Sequence, residues 1–325
     1  MIRNIPINKG NYSLDTKERE KAFDEKRAFG VEKEYLKNRK EGKKFHLKFY
    51  VSEYPLLVDL ELSTFCDLNC PFCYTISEEF KKKVKPRLMD FKLFKKIIDE
   101  ISGKVFAIRL SLRGEPMIHP RFIDAVKYAK AKNVKEVSTL TNASKLTPEF
   151  FTKAMKAGID WITVSFDGLY EEYERNRRPL KFNVIYKRLK RIKEIKDESN
   201  RVKPVMKVQA VWPAIEKDPS AYYDKISKVS DLVAFNPMID FNDPAPHKEI
   251  RYEDSFSCPQ IYQRLVVGAD GLAMPCANDE RGEHIIGDLN QQTVHSIWHG
   301  EELNRMRELH KQRDGFKHVS VCRKC

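Results

Sequence analysis

Residues 56–74 read LLVDLELSTFCDLNCPFCY. The run 56–63 has the Leu/Val content of a buried strand and leads directly into Cys66, Cys70 and Cys73. A strand ending in three thiols places a metal-binding loop at its C-terminal end. The same texture recurs downstream. VFAIRLSL (105–112), EVSTLTN (136–142), WITVSFDG (161–168), VMKVQAVW (205–212) and LVAFNPMI (232–239) read as further strands. Between them lie helix-period stretches: MDFKLFKKIIDEI, PRFIDAVKYAKAK, TPEFFTKAMKAG, KFNVIYKRLKRIKEIK and DPSAYYDKISKV. Thr147-Pro148 opens the third of these and Gly158 closes it. Six strands alternating with five helices predict a parallel α/β sheet with helices outside. Six repeats are too few for a closed eight-stranded barrel. The expectation is an open, TIM-like partial (β/α)6 barrel or a doubly wound sheet, with the site at the C-terminal strand ends.

Three segments follow from this pattern: 1–50, 51–240 and 241–325. Residues 1–50 carry fourteen basic and eight acidic residues and read as one or two exposed helices without a wide apolar face. They are expected to pack through Phe23, Phe29 and Tyr35, or to serve as a partner-binding arm. Past Phe241 comes a polar stretch with two prolines, FNDPAPHKEIRYEDS. RLVVGADGLAMPC then reads as a hairpin turning at Ala269-Asp270-Gly271, followed by the short helices TVHSIWHG and EELNRMRELHKQ. This is a small α+β domain with cysteines at its start and end, a size at which a metal staple is common.

The 325 residues are 41% hydrophobic and 11% aromatic, which excludes wholesale disorder and low-complexity structure. Sixty Lys+Arg against 47 Asp+Glu give a formal charge of +13. That balance is compatible with nucleic acid, anionic lipid or phosphorylated substrates and selects none of them. No apolar run approaches the roughly 18 residues of a membrane span, and the N-terminus has no signal-like apolar core. The cytoplasm is the expected compartment, where seven cysteines point to metal or redox work rather than disulfides.

The spacing C-DLN-C-PF-C supplies three ligands where a structural zinc site wants four. A cubane held by three thiolates keeps one iron open; zinc with a ligand from elsewhere is the alternative. This cysteine pattern after the first strand of a six-fold βα repeat resembles the radical S-adenosylmethionine (SAM) superfamily. Phe72 and Tyr74 beside the last cysteine resemble the family's aromatics there. Leu112-Arg113-Gly114-Glu115-Pro116 resembles its Gly-Gly-Glu element, with Arg113 in place of the first glycine. Thr141-Asn142 ends the third strand, Ser165-Phe166-Asp167-Gly168 ends the fourth, and Tyr170 to Arg178 is similar to a following Tyr-to-Arg stretch. The resemblance implies SAM chelated to a 4Fe-4S cluster on Cys66, Cys70 and Cys73. It also implies a SAM-binding set of Gly114, Glu115, Thr141, Asn142, Ser165 and Asp167, with Glu115 on the ammonium. Read from residue type alone, Glu115 equally suits a helix start, and Asn and Ser equally suit turns and caps.

Cys258, Cys276, Cys322 and Cys325 account for the remaining cysteines. With Ile286-Gly-Asp-Leu-Asn, Ser296-Ile-Trp298, Arg305 and Arg307, they resemble the auxiliary-cluster domain called SPASM, in its shorter Twitch form. A second 4Fe-4S cluster is implied; a four-cysteine zinc site is the alternative. The resemblance implies a radical SAM oxidoreductase. The expected reaction is dehydrogenation of a sugar, cyclitol or nucleotide-linked alcohol, with the second cluster as electron acceptor and a flavodoxin or ferredoxin as donor. Arg109, Arg113, Arg175, Arg177 and Arg178 are candidates for an anionic substrate group, or belong to a solvated basic loop. Modification of a ribosomal peptide is the alternative reaction, and a zinc protein binding nucleic acid is the third class. No nucleic-acid or membrane partner is expected, and the sequence names no catalytic base.

Overall fold

The computed structural model describes residues 12–237 and 257–324. Its strands are β1 (Tyr12–Ser13), β2 (Leu57–Leu60), β3 (Ala107–Arg109), β4 (Glu136–Thr141), β5 (Trp161–Ser165), β6 (Val205–Val211), β7 (Leu232–Asn236), β8 (Arg264–Val267), β9 (Leu272–Met274) and β10 (Gly287–Asp288). The helices are α1 (Lys17–Ala28), α2 (Glu32–Lys44), α3 (Glu78–Lys83), α4 (Phe91–Ile101), α5 (Phe122–Ala131), α6 (Pro148–Ala157), α7 (Tyr170–Asn176), α8 (Phe182–Glu198), α9 (Pro219–Ile226), α10 (Gln260–Gln263), α11 (Val294–Trp298) and α12 (Glu301–Leu309).

One sheet runs β1-β7-β6-β5-β4-β3-β2-β8-β9-β10. Its six central strands, β2 to β7, are parallel neighbours in sequence order, so each crossover carries helix to one face. The ladder stays open rather than closing on itself, which makes it a partial barrel. Helix α6 shows why the crossovers stop where they do. Thr147 Oγ1 accepts from the Phe150 amide at 3.1 Å, Pro148 occupies the first turn, and Gly158 ends the helix at φ +94°. Helix α4 turns Leu93, Phe94, Ile97, Ile98 and Ile101 onto the sheet at helical spacing.

Alternation along the strands separates two faces. Val58, Leu60, Ile108, Leu110, Ile162, Val164, Val208 and Val233 belong to the apolar layer under the helices. The intervening positions line the lumen and are polar: Asp59, Glu61, Arg109, Ser138, Thr163, Lys207 and Gln209 are buried or half-buried there.

The N-terminal segment differs from the exposed arm that its charge density suggests. Helix α1 closes the barrel at the N-terminal strand ends. Phe23 packs with Trp161, Val205 and Leu232, the first residues of β5, β6 and β7, and meets the Trp161 ring edge-on at 6.0 Å. Arg27 lies over the same ring at 4.2 Å and pairs with the buried Glu136 carboxylate at 2.9 Å. Tyr35 is buried, while Phe29 is 57% exposed. A buried guanidinium is tolerable here because its partner sits at the start of β4.

The small C-terminal domain also departs from a separate hairpin. Its first strand, β8, adds to the barrel sheet in parallel beside β2, with Val58 opposite Leu265. The turn closes through Gly271 at φ +88°, whose amide bonds the Gly268 carbonyl at 2.9 Å. Further bonds fasten the domain to the barrel. Trp298 Nε1 donates to the Ser52 carbonyl at 2.7 Å, and Glu100 accepts from the amides of Val294 and His295 at the α11 start. The polar stretch after Phe241 lies outside the described residues up to 256.

Candidate active site

The loop after β2 holds the first three cysteines in place by backbone bonds. Thr64 donates to the Arg87 carbonyl at 3.0 Å, Asn69 to that of Arg178 at 2.9 Å, and Glu115 to that of Phe65 at 2.7 Å. Gly114 is the contact point between this loop and the end of β3. A Cβ there would stand 2.5 Å from the Ser63 carbonyl oxygen and 2.6 Å from the Thr64 carbonyl carbon, so no larger residue fits without moving the loop.

Cys66, Cys70 and Cys73 are thiols outside any disulfide. Each lies near a donor or hydroxyl: Asn142 Nδ2 is 3.6 Å from Cys66 Sγ, Arg177 Nη1 is 3.9 Å from Cys70 Sγ, and Thr75 Oγ1 is 3.0 Å from Cys73 Sγ. Burial raises the Cys66 thiol and lifts that of Cys70 to about 11, with Arg177 pulling the latter back and the neighbouring cysteines raising both. Three mutually interacting thiols suit an iron–sulfur core, whose positive charge offsets that of the thiolates, with Arg177 and Asn142 placed to stabilise the anionic sulfurs. Among the described residues, no three Cys, His, Asp or Glu side chains stand close enough to hold a single ion. Three thiols from one loop leave a cubane one open iron, whereas a structural zinc site wants a fourth ligand.

Glu115 is 2% exposed. Its carboxylate accepts from the Asn142 amide at 2.7 Å, Thr141 Oγ1 at 2.8 Å and the Met117 amide at 3.1 Å. Burial nevertheless lifts its pKa to about 7. A carboxylate offers about four acceptor positions, so one remains for an ammonium. Thr141 and Asn142 thus orient Glu115, and Asn142 also reaches the cysteine loop at Cys66 and Asp67. Asp67 was not singled out by the sequence, although it lies between two of the thiols. Ser165 is buried at the end of β5. Asp167 accepts from the Val211 amide at 2.7 Å and pairs with Arg177, which carries the constellation back to Cys70.

The basic candidates separate by place. Arg113 is engaged by the buried Glu61, Nε to Oε1 at 2.7 Å, so its charge is already spent on holding the barrel to the hairpin, whose Ala269 amide bonds the same carboxylate at 3.0 Å. Arg175 lies at the surface against Glu172, and Arg178 is exposed. Arg109 faces the lumen, 4.0 Å from Asp59, whose other oxygen meets Arg264 at 3.0 Å. Lys207 completes the lining, with its ammonium 5.7 Å from the Trp161 ring centroid. Burial and the guanidinium groups of Arg109 and Arg27 lower its pKa to about 7. The alternation VDLEL in β2 and KVQ in β6 carried this signal.

In the C-terminal domain Cys258, Cys276 and Cys322 are half-buried, and Cys325 lies outside the described residues. His310, not anticipated from the sequence, stands between two of them. Its Nδ1 is 3.4 Å from the Cys258 amide and its Nε2 3.7 Å from Cys322 Sγ.

A model of the radical SAM superfamily matches residues 60–203, and one of an iron–sulfur cluster-binding domain, SPASM, matches residues 258–325. The chain carries a radical SAM domain joined to a SPASM domain. Its cofactors are therefore SAM with a 4Fe-4S cluster at the barrel and an auxiliary iron–sulfur cluster in the SPASM domain. This radical SAM chain is 24% identical over 264 residues to the tungsten-containing aldehyde ferredoxin oxidoreductase cofactor-modifying protein of Pyrococcus furiosus, covering 78% of this chain and 72% of that one. Among solved structures it resembles BtrN in complex with AdoMet and 2-DOIA, at TM-score 0.54 and 16% identity, over 83% of this chain and 92% of BtrN. It also resembles SuiB of Streptococcus suis bound to the precursor peptide SuiA, at TM-score 0.58 and 14% identity, over 90% and 75% of the two chains. No described helix is long and apolar enough to cross a membrane.

Glu115→Gln keeps the side chain's shape but removes its charge, and is expected to weaken SAM binding about 10- to 100-fold, the 1.5–3 kcal/mol of a charged hydrogen bond. The pH dependence has a definite sign. With its pKa near 7, Glu115 is ionised above that pH, so SAM affinity falls as pH drops through 7. Glu115→Gln removes this dependence. Titration calorimetry with SAM at pH 6 and pH 8 reads both effects; unchanged affinity in the variant would assign Glu115 to structure alone.

Proposed function

We propose that this radical SAM enzyme oxidises a small, polar, anionic alcohol of the sugar, cyclitol or nucleotide-linked type, held in the barrel lumen. One observation carries the reading. The lumen is closed at its N-terminal end by Phe23, and its lower wall gathers the cations Arg27, Arg109, Lys207 and Arg264 against two carboxylates, Asp59 and Glu136. Cations buried in such excess favour an anion entering from the open end. The likeness to BtrN, whose complex contains 2-DOIA, supports a small-molecule substrate. When bound, SAM and the barrel cluster supply one-electron cleavage to a 5′-deoxyadenosyl radical. Cys66, Cys70 and Cys73 would hold that cluster, and Gly114, Glu115, Thr141, Asn142, Ser165 and Asp167 would seat SAM above the lumen. Arg109, Lys207 and Arg264 would fix the substrate's anionic end, so that a hydroxyl-bearing carbon stands toward the strand ends. The flavodoxin or ferredoxin donor belongs to this reading.

The test is anaerobic turnover with phosphorylated polyols and their neutral parents. The phosphorylated compounds should stimulate deoxyadenosine release. Arg109→Gln should raise KM about 10- to 100-fold, as expected for a lost charged contact, while leaving SAM cleavage without substrate unchanged. Equal stimulation by neutral polyols would remove the anionic assignment. Stimulation by a peptide alone would favour the second reading, ribosomal-peptide modification, which the SuiB likeness supports.

A further inference from the structure

Helix α12 and its C-cap turn one stripe inward: Leu303, Met306, Arg307 and, at the cap, His310, at the i, i+3, i+4, i+7 spacing of a buried face. His310 occupies the last of these positions and is 3% exposed. Its two ring nitrogens have different partners. The Cys258 amide can only donate, so the nitrogen it approaches at 3.4 Å, Nδ1, must be the unprotonated acceptor. In a neutral imidazole the proton then resides on Nε2, which stands 3.7 Å from Cys322 Sγ. The backbone of one cysteine thereby fixes the tautomer that donates to the sulfur of another. These two cysteines are 64 positions apart in the chain, and His310 joins them without any contact of their own being needed.

We infer that His310 is a positioning residue of the auxiliary iron–sulfur site, donating an Nε2–H···S hydrogen bond to Cys322 and so raising the cluster's reduction potential. The chemistry is general. A hydrogen bond to a ligating sulfur withdraws electron density from the cluster and stabilises its reduced, more negative state. A ring held rigid at both nitrogens supplies that bond at a fixed angle, which a mobile side chain or water would not. The sulfur also stays a thiolate ligand in this arrangement, because the imidazole keeps its proton. An acceptor of electrons is made more competent in this way, which fits the role given to the second cluster.

The experiment uses the reconstituted full chain carrying Cys66→Ala, Cys70→Ala and Cys73→Ala, so that only the auxiliary cluster is read. Iron analysis first reports whether that cluster is present, which separates a failure of the cluster assignment from a failure of the His310 role. Redox titration by electron paramagnetic resonance then compares His310, His310→Phe and His310→Gln. His310→Phe is expected to lower the reduced-to-oxidised ratio at a fixed potential about tenfold, a 59 mV shift for a one-electron couple. Glutamine keeps an N–H at similar reach and should recover most of the shift. In the same triple-alanine chain with His310 kept, exchange into deuterium oxide should reveal a deuteron coupled to the cluster by pulsed resonance, and this signal tests the bond even where His310→Phe fails to retain iron. Equal potentials in all three proteins, or no coupled deuteron, would overturn the proposal. Direct nitrogen ligation to iron would overturn it as well, since His310 would then be a ligand rather than a donor to one.

Discussion

Replacing Cys66, Cys70 and Cys73 together by alanine is expected to lower the iron of the reconstituted protein from about eight to about four atoms per chain, one 4Fe-4S cluster's worth, and to abolish deoxyadenosine formation. The effect is all-or-none because homolysis needs SAM bound to the open iron, and the four cysteines of the C-terminal domain would close every corner of their own cluster. The variant should remain folded. Cys66 is exposed and Cys73 half-buried, leaving Cys70 as the one buried thiol, whose truncation costs about 1 kcal/mol. The loop keeps its course through bonds that involve no sulfur, from Thr64, Asn69 and Glu115 to neighbouring carbonyls. Iron analysis, melting and chromatography of deoxyadenosine read the three outcomes separately. An unchanged iron content would move the barrel cluster to other ligands. A collapse in melting temperature with unchanged iron would make the thiols structural.

How much of this was legible depends on how far apart in sequence the interacting groups lie. The βα alternation is a local signal, and each of the six barrel strands lies inside its expected run: β5, for example, is Trp161–Ser165 within 161–168. Helix α6 needed only Thr147, Pro148 and Gly158 to be bounded. The cysteine loop was equally local. Pairings over long separations were not. Arg113 looked available because its partner Glu61 lies 52 positions earlier. Helix α1 looked solvated because its charge density hides Arg27, which is buried against Glu136, 109 positions away. Asp59, Glu61, Lys207 and Gln209 alternate with apolar residues as they would on a half-exposed strand, and only the closing of the sheet turns that polar face inward. His310 is readable as a stripe position of α12, but its partners come from both ends of the domain. The hairpin was recognised, yet its parallel addition to β2 required knowing that the sheet had a free edge there.

That parallel addition also shapes the second large expectation. Cys276→Ala should bring product formation to background while slow deoxyadenosine release continues. The two tasks separate physically. Cleavage of SAM draws one electron through the barrel cluster, whereas a net two-electron oxidation must place a second electron somewhere, and a fully ligated cluster nearby is a suitable acceptor. On the reading proposed above, Cys258, Cys276, Cys322 and Cys325 would supply four thiolates, enough to close every corner and leave no iron for substrate. A cluster that staples a small domain raises the competing explanation that the variant merely unfolds. Here the domain has other fastenings. β8 pairs with β2 over Leu57–Leu60, Trp298 Nε1 bonds the Ser52 carbonyl at 2.7 Å, and Lys96 Nζ reaches the Leu289 carbonyl at 2.7 Å. Tyr262, Trp298, Leu303 and Met306 are fully or almost fully buried, so an apolar core persists without iron. The Cys276→Ala protein should therefore melt cooperatively, with about four irons retained at the barrel. A folded variant that lacks the second cluster and still makes full product would end the electron-acceptor role. The reaction would then be redox-neutral, and the hydrogen returned to the substrate radical would have to come from a donor outside this cluster.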